Sequence, residues 1–265
     1  MKKLTELAIK AALLAGQRIM EIYDTEDFEV NFKSDDSPLT KADIASHNII
    51  VKALETLPYP ILSEEGQNVS FEDRKNWNQL WIVDPIDGTK EFIKRNGEFT
   101  VNIAYVENQF PTLGVIYVPA QNILYFANNE IGAFKLTDPA MDFSLEHMLD
   151  KAKKMPLDHK KERFTIVASR SHLSPETQEF IDSMKAKHGE VETISKGSSL
   201  KLCMVAEGIA DCYPRFAPTM EWDTAAGNAI CLAAGFDVID QGTGVNMLYN
   251  REELLNNWFL VKKEI

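Results

Sequence analysis

The segment Asp84-Pro85-Ile86-Asp87-Gly88-Thr89 places two carboxylates three residues apart, directly behind the apolar run Trp81-Ile82-Val83. Carboxylate oxygens are the ligands that a hard cation such as Mg²⁺ prefers. Gly88 and Thr89 then open a short helical run toward Gly97. Free N–H groups at such a helix start attract an anion. A divalent cation beside an anion suits phosphoryl transfer. Taken alone, Asp-Pro and Asp-Gly pairs are ordinary turn chemistry. The string gains meaning from two further acidic segments, Glu64-Glu65 and Glu221-Trp222-Asp223. Separately these read as a solvated pair and a helix-dipole acid. A two-metal centre, however, needs about three to five acidic ligands.

The elements that must deliver these acids are legible in outline. Trp81 to Val83 reads as a buried strand ending at Val83, and Pro85 forces a sharp turn after it. Tyr59 to Leu62 is a second short apolar run, ending at Ser63-Glu64-Glu65. Leu4, Leu7, Ala8, Ala11, Ala15, Ile19 and Ile22 share one helical face, so residues 3–23 form a first helix. A strand over 28–32 follows, then a polar turn leading into a helix that carries Asp43 and runs to about Leu57. Residues 67–79 read as a polar surface loop. Strands at 99–106, 112–118, 123–127 and 132–136 form an antiparallel meander.

Residues 138–162 read as a lysine-bearing connection. After it, strands and helices alternate. Pro175 behind the N-cap Ser174 opens one helix, and Gly189 ends it. Further helices cover 198–207 and 221–234, with strands at 164–168, 191–194, 210–213, 236–239 and 258–261. The expected organisation is an α+β portion over residues 1–150 followed by an α/β portion over 151–265.

Composition limits the remaining possibilities. The chain has 265 residues, 45% of them hydrophobic, enough for a large core. No apolar run approaches the ~20 residues of a membrane span. Cys203, Cys212 and Cys231 are odd in number and lack CxxC spacing, which fits free thiols in a cytoplasmic setting. Peripheral contact with the inner membrane stays open, as does oligomeric state. The net charge of −12 argues against a nucleic-acid polymer as partner. It does not argue against a small anion, because bound divalent ions invert the local field.

Glu64-Glu65, Asp84-Pro85-Ile86-Asp87-Gly88-Thr89 and Trp222-Asp223-Thr224-Ala225-Ala226-Gly227, in this order, resemble the inositol monophosphatase superfamily of Mg²⁺-dependent phosphomonoesterases. Thr89-Lys90-Glu91-Phe92, Ser169-Arg170-Ser171-His172, Gly197-Ser198-Ser199-Leu200-Lys201 and Tyr213-Pro214-Arg215-Phe216 resemble its CysQ-type 3'(2'),5'-bisphosphate nucleotidases. The resemblance implies a layered αβαβα sandwich. It implies Glu64, Asp84 and the Ile86 carbonyl as ligands of one Mg²⁺, and Asp84, Asp87 and Asp223 as ligands of a second, with a third ion an open alternative. Gly88 and Thr89 match the phosphate-binding turn, and Asp43 matches the acid that bonds the Thr89 hydroxyl and helps orient water. His172, Gly197 and Lys201 match positions near a nucleotide. Arg215 is a plausible phosphate counter-charge.

Glu221 departs from the family pattern and adds an acid beside the second metal. The expected reaction removes the 3'-phosphate of adenosine 3',5'-bisphosphate, or of its sulfated analogue, in sulfur assimilation or nucleotide recycling. The alternatives are an inositol or small sugar phosphatase, a catalytically idle scaffold, and a nucleic-acid module.

Overall fold

The computed structural model describes residues 1–25, 30–32, 38–141, 144–169 and 174–263. In chain order the elements are α1 (Lys2–Tyr23), β1 (Asn31–Phe32), β2 (Pro38–Leu39), α2 (Lys41–Leu54), β3 (Ile61–Ser63), α3 (Phe71–Arg74), β4 (Gln79–Asp87) and α4 (Thr89–Ile93). There follow β5 (Thr100–Glu107), β6 (Phe110–Val118), β7 (Ile123–Asn128), β8 (Gly132–Thr137), α5 (Leu145–Lys151) and β9 (Lys153–Lys154). The remainder comprises β10 (Phe164–Ser169), α6 (Pro175–His188), β11 (Val191–Lys196), α7 (Leu200–Glu207), β12 (Cys212–Arg215), α8 (Glu221–Ala233), β13 (Phe236–Asp240) and β14 (Phe259–Lys263).

Two sheets organise these elements. One has seven strands in the order β3-β4-β5-β6-β7-β8-β9, and the other has five in the order β11-β10-β12-β14-β13. The alternation of side chains along β4 explains the layering. Trp81 and Val83 point into a core shared with α1 and α2. Leu80 and Ile82 point to the opposite face, into a core shared with α7, α8 and the second sheet. With both faces covered, the strand reads as an unbroken apolar run. The far face of the second sheet packs Ile166 and Cys212 against Ile181 of α6. The result is the expected sequence of layers: helices, sheet, helices, sheet, helix.

Helix α8 lies close to the large sheet because both surfaces are small. A β-carbon at Gly114 of β6 would stand 2.2 Å from the Ala226 carbonyl oxygen and 2.9 Å from the Ala229 β-carbon. On its other side, a β-carbon at Gly227 would meet Leu202 of α7 at 2.4 Å. Gly114→Ala is therefore expected to push α8 off the sheet and to cost about 1–3 kcal/mol. A shift of the urea midpoint measures this, and an unchanged midpoint would show that the contact is loose.

Three sequence expectations are corrected. Strand β4 does not stop at Val83 but continues to Asp87, with Asp84 opposite Asn102 and Asp87 opposite Thr100. The ladder tolerates Pro85 because its register shifts between Asp84 and Asp87. The polar stretch 67–79 is more than a surface loop. It forms α3, whose Arg74 is buried and donates from Nη1 to Asn250 Oδ1 (3.1 Å) and from Nη2 to the Glu252 carbonyl (2.8 Å). The lysine-bearing connection contains α5 and the edge strand β9, where Lys154 pairs with Phe134. Lysines on an edge discourage pairing with another chain. Of the strand expected over 28–32, only its end lies within the described residues; there Asn31 and Phe32 pair with Leu39 and Pro38.

Candidate active site

Turn geometry presents the first two acids. Asp84 Oδ1 accepts from the Ile86 N–H at 3.0 Å, closing a turn over Pro85. The Pro85 carbonyl accepts from Ser46 Oγ of α2 at 2.8 Å. Gly88 follows in the left-handed region at φ 94°. Glycine is favoured there twice over, since a β-carbon would also crowd the Glu98 carbonyl at 3.2 Å and Ser198 at 3.3 Å.

Thr89 opens α4 and meets the acid expected for it. Its Oγ1 donates to Asp43 Oδ1 at 3.1 Å and lies 3.4 Å from the Ile86 carbonyl oxygen. Asp43 is fixed from its other side, where Oδ2 accepts from Thr40 N (2.8 Å) and Thr40 Oγ1 (2.6 Å) in the N-terminal cap of α2. Burial raises the Asp43 pKa above the ordinary carboxylate value, and the Thr40 bonds oppose that rise.

Asp223 comes from the first turn of α8, where its Oδ2 accepts from Met220 N at 2.7 Å. Carboxylate oxygens of Asp84, Asp87 and Asp223 lie within 4.8 Å of one another. Glu64 adjoins them, with its backbone N–H bonded to the Val83 carbonyl at 3.1 Å. Burial, then the charges of Glu64, Asp87 and Asp223, push the Asp84 pKa well above 3.8. Burial and Asp87 push Asp223 up to about 8. Acids gathered from β3, β4 and α8 thus repel one another in a place poor in water. An all-oxygen carboxylate set under that repulsion is the donor chemistry that fits a hard divalent cation.

A cleft beside this cluster is lined by Asp87, Gly88, Gly197, Lys201, Arg215 and Asp223. Lys201 is buried, and its Nζ donates to the carbonyls of Ser198 (2.6 Å) and Lys196 (3.3 Å). Burial lowers its pKa to about 8, with Asp87 opposing and Arg215 assisting the shift. Arg215 Nη2 donates to the Pro218 carbonyl at 2.9 Å, while its buried Nε has no hydrogen-bond partner among the described residues. Gly197 has no room for a side chain, since a β-carbon would lie 2.7 Å from Glu91 Cγ. Its N–H donates to Glu98 Oε2 at 2.9 Å, and Lys196 pairs with Glu98 Oε1 at 3.1 Å. Asp43, Thr89, Glu64, Asp84, Ile86, Asp87, Gly88, Gly197, Lys201, Arg215 and Asp223 therefore gather around one region. His172 lies outside the described residues.

Glu221 does not join the acidic cluster. Its carboxylate turns away to accept from Asn250 N (2.6 Å) and Arg251 N (3.0 Å), with Arg251 Nε at 3.2 Å. Burial raises its pKa to about 7. A buried acid settles where donors satisfy it, and these donors tie the 250–251 turn to the start of α8. Sequence reasoning also gave no role to Glu98, Asn102 or Ser199. Asn102 carried a signal, because it interrupts the apolar strand from Val101 to Val106.

A model of the inositol monophosphatase family matches residues 1–264. The chain is 45% identical over 257 residues to the 3'(2'),5'-bisphosphate nucleotidase CysQ of Shigella flexneri, covering 93% of this chain and 94% of that protein. It is 44% identical over 266 residues to the protein of the same name from Salmonella typhimurium, covering 97% and 98%. The crystal structure of CysQ from Bacteroides thetaiotaomicron superposes with a TM-score of 0.93 at 52% identity, over 100% of this chain and 98% of that one. No helix among the described residues is long and apolar enough to cross a membrane.

Proposed function

The chain belongs to the inositol monophosphatase family, and from that premise we propose that it is a 3'(2'),5'-bisphosphate nucleotidase. The reaction is hydrolysis of the 3'-phosphate of adenosine 3',5'-bisphosphate, giving AMP and inorganic phosphate. The observation that carries this reading is a single cleft lined both by Lys201 and Arg215 and by Asp87 and Asp223. Basic and acidic groups together suit a substrate with two phosphates, one held by side-chain cations and the other meeting a cation-loaded acidic cluster. The nucleotidase names of relatives at 44–45% identity support the same choice.

In this reading residues 1–150 supply Glu64, Asp84, Asp87 and the Ile86 carbonyl, and residues 151–265 supply Asp223 and the nucleotide contacts. Bound divalent cations, Mg²⁺ by the preference of carboxylate oxygens, supply charge neutralisation at the phosphoryl group and acidify water. The remaining chemistry falls to the chain. Thr89 Oγ1 accepts a hydrogen bond from the attacking water while its own hydrogen stays directed at Asp43. As water attacks phosphorus, its proton passes to Thr89, and the Thr89 proton passes to Asp43. Burial of Asp43 raises its basicity for that step. The P–O bond to the ribose 3'-oxygen breaks, and that oxygen leaves with a proton from solvent. The N–H groups at the start of α4 orient the phosphate.

The decisive assay compares adenosine 3',5'-bisphosphate, its sulfated analogue and inositol 1-phosphate as substrates, with Mg²⁺ and with chelator. Faster Mg²⁺-dependent release from a nucleotide supports the proposal. Preference for inositol 1-phosphate overturns it. Lys201→Ala is expected to raise KM for the nucleotide by roughly 10–100-fold, the worth of a charged hydrogen bond of about 1.5–3 kcal/mol. KM for inositol 1-phosphate should change far less, and an equal change would remove Lys201 from nucleotide recognition. Because burial lowers the Lys201 pKa to about 8, the nucleotide KM of the unaltered enzyme should rise as pH passes that value.

A further inference from the structure

We infer that Ser199 is a positioning residue for Asp87, the end of a buried, one-directional chain of donors that begins at Thr100. The inference rests on the proposed cation-dependent reading of the site.

The direction of the chain follows from its chemistry. Thr100 Oγ1 donates to Asn102 Oδ1 at 2.9 Å. That bond orients the amide, so Asn102 Nδ2 faces Ser199 Oγ at 2.6 Å and Asp87 Oδ2 at 3.4 Å. An NH₂ group can only donate. Ser199 Oγ therefore accepts from Asn102, and its own hydrogen goes to a different acceptor. Asp87 Oδ2 is that acceptor, in a short hydrogen bond. The competing acceptor, the Asp223 carbonyl, is farther away at 3.1 Å. Thr100, Asn102 and Ser199 are at most 3% exposed. In such surroundings a fully satisfied series of hydrogen bonds is stiff. Two donors thus engage Oδ2 of Asp87, and the other oxygen stays clear of them.

A second observation separates this role from ordinary helix capping. Ser199 occupies the N-cap position of α7, where serine normally bonds its own helix. Here it makes no side-chain cap hydrogen bond, and its backbone is helical, at φ −67° and ψ −6°. The preceding residue, Ser198, takes a left-handed φ of 47°, a conformation that costs free energy outside glycine. The loop thus forgoes a cap and accepts strain, and what it gains is the bond to Asp87.

The test is a Mg²⁺ titration of the full chain by calorimetry without nucleotide, paired with melting in chelator. Ser199→Ala is expected to weaken Mg²⁺ binding by about 10–100-fold, as loss of partners behind metal ligands does. Its cation-free melting should fall only by what the loss of one buried hydrogen-bond partner of Asn102 costs, because no helix cap is lost. Asn102→Ala should weaken binding in the same direction, and the double variant should be no worse than the sum of its parts. Ser199→Thr, which keeps the hydroxyl, should restore affinity. Unchanged Mg²⁺ affinity in Ser199→Ala overturns the inference. So does a loss of affinity that appears only together with a collapse of cation-free melting. A chain that binds Mg²⁺ in this Ser199-dependent way but hydrolyses no nucleotide would overturn the functional proposal and leave the role of Ser199 standing. Absence of Mg²⁺ binding by the unaltered chain overturns both.

Discussion

Asp84→Asn is expected to lower turnover by on the order of 10²–10³-fold or more, and at the same time to stabilise the cation-free protein. Both effects arise from the same charge. Asp84 is buried, and Glu64, Asp87 and Asp223 all disfavour its ionised form. Asparagine has nearly the same shape, and its carbonyl oxygen can keep the Ile86 N–H bond that closes the turn. The fold should therefore persist with one less repelling charge. Asp223 has its folded pKa raised from 3.8 to about 8. It binds its proton more tightly folded than unfolded, so cation-free stability falls as pH rises across that window. Removing the Asp84 charge should flatten the fall. Melting curves in chelator between pH 5 and pH 8, with turnover under saturating Mg²⁺, provide both readouts. Near-normal turnover would take Asp84 out of the site, and a lowered melting temperature in chelator would show that the acids are not in mutual strain.

The second large effect concerns Asp43 and Thr89. Thr89→Val and Asp43→Asn should each lower kcat by about 10²–10⁴-fold, the usual worth of a positioned proton acceptor. KM should barely move, because neither variant alters Lys201 or Arg215. Asp43→Asn is informative because the carboxylate has two separate tasks. An asparagine oxygen turned toward Thr40 keeps the N–H and hydroxyl bonds that cap α2. Its NH₂ group then faces Thr89 as a donor, where a proton acceptor is required. Helix and melting temperature should survive while the proton path is lost. The two residues act as a unit, so the double variant should be no slower than the worse single one. Independent, additive losses would separate Thr89 from Asp43 and overturn the relay.

Much of this site was legible because its acids stand where secondary structure changes. The Asp84 segment follows an apolar run, Glu64 ends another, and Asp223 starts a helix, each marked by local residue pattern. The layers were legible for a related reason, since alternation along the strands and small-residue faces on the helices survive in sequence. The parts that were missed depend on partners far away in the chain. Strand β4 passes its proline because Asn102 and Thr100 of β5 supply the next pairings. Arg74 is buried because Asn250 and the carbonyl of Glu252 receive it. Glu221, two positions from Asp223, turns from the cluster because the N–H groups of Asn250 and Arg251 lie on its other side. No periodicity within residues 67–79 or 221–227 encodes such partners.

The seat of α8 between Gly114 and Leu202 also bears on how the enzyme comes into being. During synthesis, the large sheet with Asp84 and Asp87 leaves the ribosome well ahead of the helix that brings Asp223. A nascent chain at that stage holds Glu64, Asp84 and Asp87 but still lacks the acid that completes the proposed cluster. On the proposed mechanism, catalytic onset therefore waits for this later helix to slot into place.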